Sequence, residues 1–295
     1  MMKFLFQIVN GLHIGSIYAL VALGYSMVYG IVKLINFAHG DIIMVGAYAA
    51  YVLLVMCGMP LWVAVLGSVV FCALAGVLIE RVAYRRLRVK EAPRISLLIT
   101  AIGVSIFLQN LFQLIFSSSG KSFPTVFNYA PIVVGERQIS MVSIITIVTT
   151  VVLMVLLQLL VKRTRLGKAM RAVSEDAGAA KLMGINTDGT VAWTFAIGSG
   201  LAAVGAVLYS ASYPLIDPYM GSMLGLKAFV AAVLGGIGSI PGAMIGGVLL
   251  GVIEKICLAV PVLAPYTTAV EFSLLILILL VRPIGLLGKK RREKV

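Results

Sequence analysis

Charge is scarce in this chain: of 295 residues only 12% are Asp, Glu, Lys or Arg, while 61% are hydrophobic. A typical soluble domain is about a quarter charged and markedly less apolar. No water-soluble core can bury so much apolar surface, so a soluble globular fold is excluded. Acidic residues are scarcer still, 11 against 24 Lys and Arg. Histidine occurs only at His13 and His39. Cysteine occurs only at Cys57, Cys72 and Cys257, without CxxC or Cys/His spacing. Those absences leave no metal constellation and no nucleophile–base pair, so catalysis by this chain has no support and the cysteines read as small buried hydrophobes. Only Lys3 precedes an apolar stretch from Phe4 to about Val32, longer than a signal-peptide core of roughly 7–15 residues, and it reads as a retained first helix.

What the chain has instead is long apolar runs with few or no charges, near 4–32, 36–57, 61–82, 95–116, 139–161, 191–212, 225–256 and 266–287. Some 20 helical residues at 1.5 Å each span roughly 30 Å of hydrocarbon. The expected fold is an all-α, polytopic helical membrane protein with about eight hydrophobic segments, residues 1–295 forming one transmembrane domain. A net charge of +13 would point to nucleic acid in a soluble protein. Here 17 of the 24 cations fall within 81–94, 162–181 and 289–294, between or after the runs. That is the positive-inside pattern of a membrane protein: lipid is the partner and nucleic acid is not.

The basic loops 81–94 and 162–190 are therefore cytoplasmic, the nearly uncharged loop 117–138 is outside, and counting back puts the amino terminus outside and Lys33 inside. Parity then singles out 225–256. At about 32 residues it is too long for one straight helix and too short for two full ones. It breaks at Gly235-Gly236-Ile237-Gly238-Ser239-Ile240-Pro241-Gly242. Two half-helices returning to the outer side would satisfy the count. A second interruption, Asn36-Phe37-Ala38-His39-Gly40-Asp41, resembles the first, so one or two broken or re-entrant elements are expected. Irregular backbone at membrane depth is tolerated only inside protein or beside a water-filled cavity. Asn36, His39, Asp41, Gly236, Gly238, Ser239 and Pro241 are accordingly candidates for a translocation path. Interhelical hydrogen bonding is an equally open role for His39 and Asp41.

Other intramembrane polar groups divide similarly. Glu254 and Lys255 point about 100° apart on a helix, so they cannot face one another and Glu254 is expected to meet another helix. Gln109, Asn110 and Gln113 read as polar glue between helices. Two overlapping GxxxG pairs, Gly242 with Gly246 and Gly247 with Gly251, predict close helix approach. Ser119-Gly120-Lys121-Ser122 imitates the end of a phosphate-binding loop, but the glycine required five positions before Gly120 is Ile115, and the segment falls outside the membrane. Nucleotide binding by this chain is excluded, and no cofactor is expected on it.

The loop from 162 to 190 carries the most information. Its stretch 167–185 reads as a short Ala/Gly-rich helix ended by Gly184, with Arg171 and Glu175 as an i,i+4 pair. A solvated juxtamembrane helix and a docking element for a cytoplasmic partner both fit it. Its residues Arg171-Ala172, Glu175-Asp176, Ala179-Ala180 and Gly184-Ile185 resemble the coupling loop of ABC importer permeases, specifically branched-chain amino acid permeases of the LivH type. Two further stretches resemble the same family: Gly24-Tyr25 through Ile35-Asn36-Phe37-Ala38-His39-Gly40-Asp41 to Gly46-Ala47-Tyr48, and Lys227-Ala228-Phe229 through Gly235 to Ala243.

The resemblance covers essentially the whole chain. It implies a permease subunit in a bacterial cytoplasmic (inner) membrane, paired with a second, paralogous permease. Two cytoplasmic ATP-binding subunits would carry ATP and Mg, and an extracytoplasmic binding protein would deliver leucine, isoleucine or valine. It also implies that Arg171, Glu175, Asp176, Ala179, Ala180 and Gly184 belong to the element that meets an ATPase. Relatives that take urea, short amides or other amino acids share much of the pattern. A stand-alone secondary transporter or channel, with His39, Asp41 and Glu254 as relays, is the competing class.

Overall fold

The computed structural model describes residues 2–33, 36–127, 130–134 and 137–288. The basic tail at 289–294 and Ile35 of the first interruption lie outside the described residues. The helices are α1 (Met2–Val32), α2 (His39–Tyr51), α3 (Leu61–Ile79), α4 (Arg85–Val89), α5 (Arg94–Phe116), α6 (Met141–Arg163), α7 (Arg165–Glu175), α8 (Ala177–Leu182), α9 (Thr187–Ser212), α10 (Met220–Gly235), α11 (Ile240–Ala259) and α12 (Thr267–Val281). A π-helical turn, Val52–Met56, extends α2, and another, Glu80–Tyr84, joins α3 to α4. Eight of the resulting runs are long and apolar enough to cross a membrane among the described residues, and α10 is a shorter apolar helix. The chain is a polytopic helical membrane protein.

Burial separates a centre from a rim. In α1 and α9, 83% of the apolar window is buried inside the chain, against 11% in α5 and α12. Helices apolar on every side thus serve two purposes: the central ones face protein, and the outer ones present Leu114, Leu280 and Trp62 to lipid. The two GxxxG pairs of α11 face different neighbours. A Cβ at Gly247 or Gly251 would strike the α1 backbone at Ala19 and Gly15, whereas one at Gly242 or Gly246 would strike α10 at Gly235 and Ala231. Small residues let α11 lie in direct backbone contact with both, where dispersion rather than water exclusion provides the attraction.

Outside the membrane, β1 (Lys121–Ser122) pairs antiparallel with β4 (Leu215–Ile216), and β2 (Ile132–Val134) with β3 (Arg137–Ile139). The segment that imitates a phosphate loop is therefore a strand pair closing the outer face, with Phe123 buried beneath it.

The stretch 225–256 differs from the expected pair of half-helices. It resolves into 16-residue α10 and 20-residue α11, the second long enough to cross. The reason is where the turn sits. Gly238 packs against Gly30, near the carboxyl end of α1, and Gly236 against Gly288 after α12. The turn is thus at the inner ends of the helices, leaving α11 a full span. Gly236 and Gly238 adopt φ of 106° and 91°, a region glycine enters without the Cβ penalty. Ser239 Oγ accepts from Gly242 N–H at 3.2 Å to cap α11, and Pro241 occupies its first turn. The carbonyls of Leu234 and Gly235, orphaned at the end of α10, accept from Leu286 and Leu287 N–H at 3.0 and 2.9 Å.

Candidate functional site

The first interruption reaches somewhat further along α1 than the second. After α1 ends near Lys33, the chain turns back and starts α2 beside the middle of α1: His39 lies against Gly24, and Gly24 against Gly198 of α9. Gly24 is eight residues before Val32, so α2 begins roughly 12 Å from the inner end of α1. Asn36 is buried, and its Oδ1 accepts from Tyr84 Oη at 2.7 Å. His39 is buried edge-on to the Tyr25 ring, 4.6 Å between centroids. Its Nε2 has no hydrogen-bond partner among the described residues.

Asp41, also buried, stands in the first turn of α2, where a carboxylate is favoured by the helix dipole. Its Oδ1 accepts from Gln109 Nε2 of α5 at 2.9 Å. The same nitrogen reaches Ser222 Oγ at 3.0 Å and Ser105 Oγ at 3.2 Å. An amide nitrogen has two hydrogens for these three oxygens, so at most two of them receive a full hydrogen bond each from it. Gly40 touches Gly221 and Gly225, which brings the starts of α2 and α10 together. Tyr219 Oη donates to Gln113 Oε1 at 3.3 Å. Ser222 and Tyr219 are exposed. A polar strip therefore runs from buried Asp41 to the side of the bundle, at a depth where polar groups need protein or water beside them.

Both interruptions meet the same stretch of α1. His39 packs at Gly24, while Ser26 Oγ accepts from Gly238 N–H at 2.8 Å and donates to the Ser239 carbonyl at 3.3 Å. The rings of Phe37 and Phe229 stand 5.6 Å apart between them.

In the loop 162–190 the single expected helix is two. Asp176 adopts an extended conformation between α7 and α8, and its Oδ1 accepts from Ala179 N–H at 2.9 Å. An N-capping side chain starts a new helix where the sequence reading ran one through. Gly184, φ 80°, ends α8 in a Schellman turn: Ile185 N–H reaches the Ala180 carbonyl at 3.0 Å and Gly184 N–H reaches Lys181 at 3.1 Å. Ala179 and Ala180 face opposite ways. Ala180 is buried with Tyr84, Val173 and Ile185, whereas Ala179, Glu175 and Asp176 are exposed. Leu182 and Met183 are 90% and 82% exposed. Arg171 reaches the Lys162 carbonyl at 3.5 Å.

Two charge clusters escaped the sequence reading. Lys227 of α10 lies 3.0 Å from Glu254 of α11 and 3.3 Å from Glu271 of α12. Tyr18 Oη of α1 donates to the same Glu254 oxygen at 2.6 Å. Glu254 does meet other helices, while Lys255 turns to Tyr213 Oη at 3.3 Å. The signal was available: Lys227 and Glu271 are lone charges inside apolar runs, each a default hypothesis in its own right. At the inner end, Arg85 and Arg88 hold Asp188, and Arg88 also holds Glu80 at 2.9 Å. Its members lie in the basic loop and the start of α9, where single charges look ordinary.

Interrupted helices and a polar strip open to one side are features of a membrane permease. The chain belongs to the family described as branched-chain amino acid transport system / permease component, matched over residues 7–279. It is 46% identical over 305 residues to the high-affinity branched-chain amino acid transport system permease protein LivH of Escherichia coli K12, covering 99% of this chain and 98% of that one. It is 48% identical over 306 residues to the permease protein BraD of Pseudomonas aeruginosa, with the same coverage. Among solved structures, PsaBC from Streptococcus pneumoniae in complex with Fab aligns over 96% of this chain and 92% of that one, at TM-score 0.49 and 15% identity.

Proposed function

We propose that the chain is a membrane-spanning subunit of an ABC importer and passes branched-chain amino acids to the cytoplasm of a bacterium across its inner membrane. A second, paralogous permease completes the pathway, an extracytoplasmic binding protein delivers the substrate, and two cytoplasmic subunits carry ATP and Mg. The observation that carries the reading is the α7–α8 pair, which projects from the cytoplasmic ends of α6 and α9. It offers exposed Leu182 and Met183 at one end of α8 and exposed Glu175 and Asp176 at the other. Exposed apolar side chains framed by charge suit a protein groove better than water. The near-full-length identity to high-affinity branched-chain amino acid permeases supports the substrate.

The path is assigned to the strip of Asp41, Gln109, Ser222 and Tyr219. Its open side calls for the paralogous subunit, since exposed polar groups at this depth are costly against lipid. Gly236, Gly238, Ser239 and Pro241 fix the turn at its cytoplasmic side.

Purification from native membrane tests the assembly. Two ATPases, a second permease and a binding protein carrying leucine, isoleucine or valine are expected. Uptake by this chain alone in proteoliposomes, driven by a proton gradient, would overturn the reading in favour of a secondary transporter.

A further inference from the structure

We propose that Asp188 is a positioning residue for transport, linking the α7–α8 pair to the mid-membrane start of α2. What moves α8 rests on the importer reading; the link itself rests on geometry. Asp188 stands in the first turn of α9, three residues after Ile185, which closes the Schellman turn of α8. Both of its oxygens are gripped from the other side. Arg85 Nε and Nη2 donate to Oδ2 at 3.1 and 2.8 Å, and Arg88 Nη2 donates to Oδ1 at 2.8 Å. Arg85 and Arg88 come directly after the π-helical turn Glu80–Tyr84. Within that turn, Tyr84 Oη donates to Asn36 Oδ1 at 2.7 Å, and the Asn36 carbonyl accepts from His39 N–H at 3.1 Å, opening α2. From α8 to the first turn of α2, every step is a covalent neighbour or a hydrogen bond.

The middle of this path has the features of an element with two arrangements. A π-helical turn holds one residue more than an α-helical turn, and its loss would rotate α4 relative to α3 by about 100°. Buried polar groups are normally all satisfied. Yet Glu80 Oε2 and Arg88 Nε, at the turn and just after it, are buried without a hydrogen-bond partner among the described residues. A half-open cleft of about 180 Å³, lined by Glu80, Arg81, Arg85, Asn186, Asp188 and Gly189, lies against the clasp and gives the Arg85 guanidinium room to re-pair. Displacing α8 would then pull Asp188 on Arg85 and Arg88, and through Tyr84 would move Asn36 and the start of α2. Spatial continuity does not by itself show coupling, and a double-mutant cycle does.

Two measurements test this, one independent of the substrate. Spin labels at exposed Leu182 of α8 and exposed Val89 of α4 report the clasp in the purified chain. Asp188→Asn should broaden a narrow distance distribution and Asp188→Glu should keep it narrow; an unchanged distribution in Asp188→Asn overturns the link. In the reconstituted importer, Asp188→Asn should raise the ATP hydrolysed per amino acid taken up at least fivefold, with assembly and basal hydrolysis retained. Adding Tyr84→Phe to Asp188→Asn should cost less than the product of the two single effects. Uptake and hydrolysis falling in equal proportion, or independent effects of the two substitutions, would overturn the coupling role. Wild-type liposomes that hydrolyse ATP without uptake of leucine, isoleucine or valine would count against the proposed substrate and leave the spin-label result standing.

Discussion

Replacing Lys227 by methionine removes the one cation between two buried carboxylates while roughly preserving side-chain volume. Lys227 and Glu254 are each 9% exposed and Glu271 1%, so water cannot take the place of the lost ammonium. Glu254 would keep its bond from Tyr18, 2.6 Å. Glu271 would keep nothing of its contact to Lys227 at Oε1, and its Oε2 is already without a hydrogen-bond partner among the described residues. Removing one member of a buried ion pair typically costs about 3–5 kcal/mol. At 1.36 kcal/mol per decade, that is roughly two to three and a half orders of magnitude in the folded-to-unfolded ratio. The companion variant Lys227→Met/Glu254→Gln/Glu271→Gln removes all three charges together. Because replacing a whole buried charge group is often neutral, it should recover most of the loss. Reversible unfolding in mixed detergent and SDS micelles measures both. A Lys227→Met loss under about 0.5 kcal/mol, or a triple variant no more stable than the single one, would show that the cluster does not act as one electrostatic unit.

Three other outcomes are expected. Glu175→Lys reverses an exposed charge on the α7–α8 pair without touching the core, so the chain should insert normally while uptake falls at least about tenfold and ATPase co-purification weakens; unchanged uptake would remove Glu175 from the docking surface. Gly238→Leu forces a Cβ into φ 91°, at a cost of about 1–3 kcal/mol, so thermal stability in detergent should fall together with transport; a stable but inactive variant would mean that the turn acts on the path directly. Gln109→Leu withdraws the donor from buried Asp41, 2.9 Å away, and should lower uptake while expression stays near wild type, whereas full activity would take the polar strip off the path.

Much of the fold was legible because its signal is one-dimensional. Apolar runs mark spans, cations between them mark the expected inner face, and parity called for 225–256 to turn back. Glycines at 242, 246, 247 and 251 announced close packing, and Gly184 the end of a helix. What that reading could not carry was depth and partnership. The glycine-rich break looked like a mid-membrane interruption, yet it sits at the inner ends. The Asn36 to Asp41 junction, apparently the weaker counterpart, begins a helix in the bilayer interior. Residue spacing gives no depth when a chain doubles back, because the return path is set by contacts such as His39 with Gly24. Asp176 looked like one more residue of a helix, and only its extended backbone shows it starting a second.

By itself, the sequence determined the solvent, the presence of about eight spans, and the kinship to permeases, since these depend on composition and local order. The tertiary structure decided which charges meet. Lys227, Glu254, Glu271 and Tyr18 come from four helices, and Asp188 finds Arg85 and Arg88 about 100 residues away. In a medium that cannot solvate a lone charge, such pairings are fixed by where the helices pack.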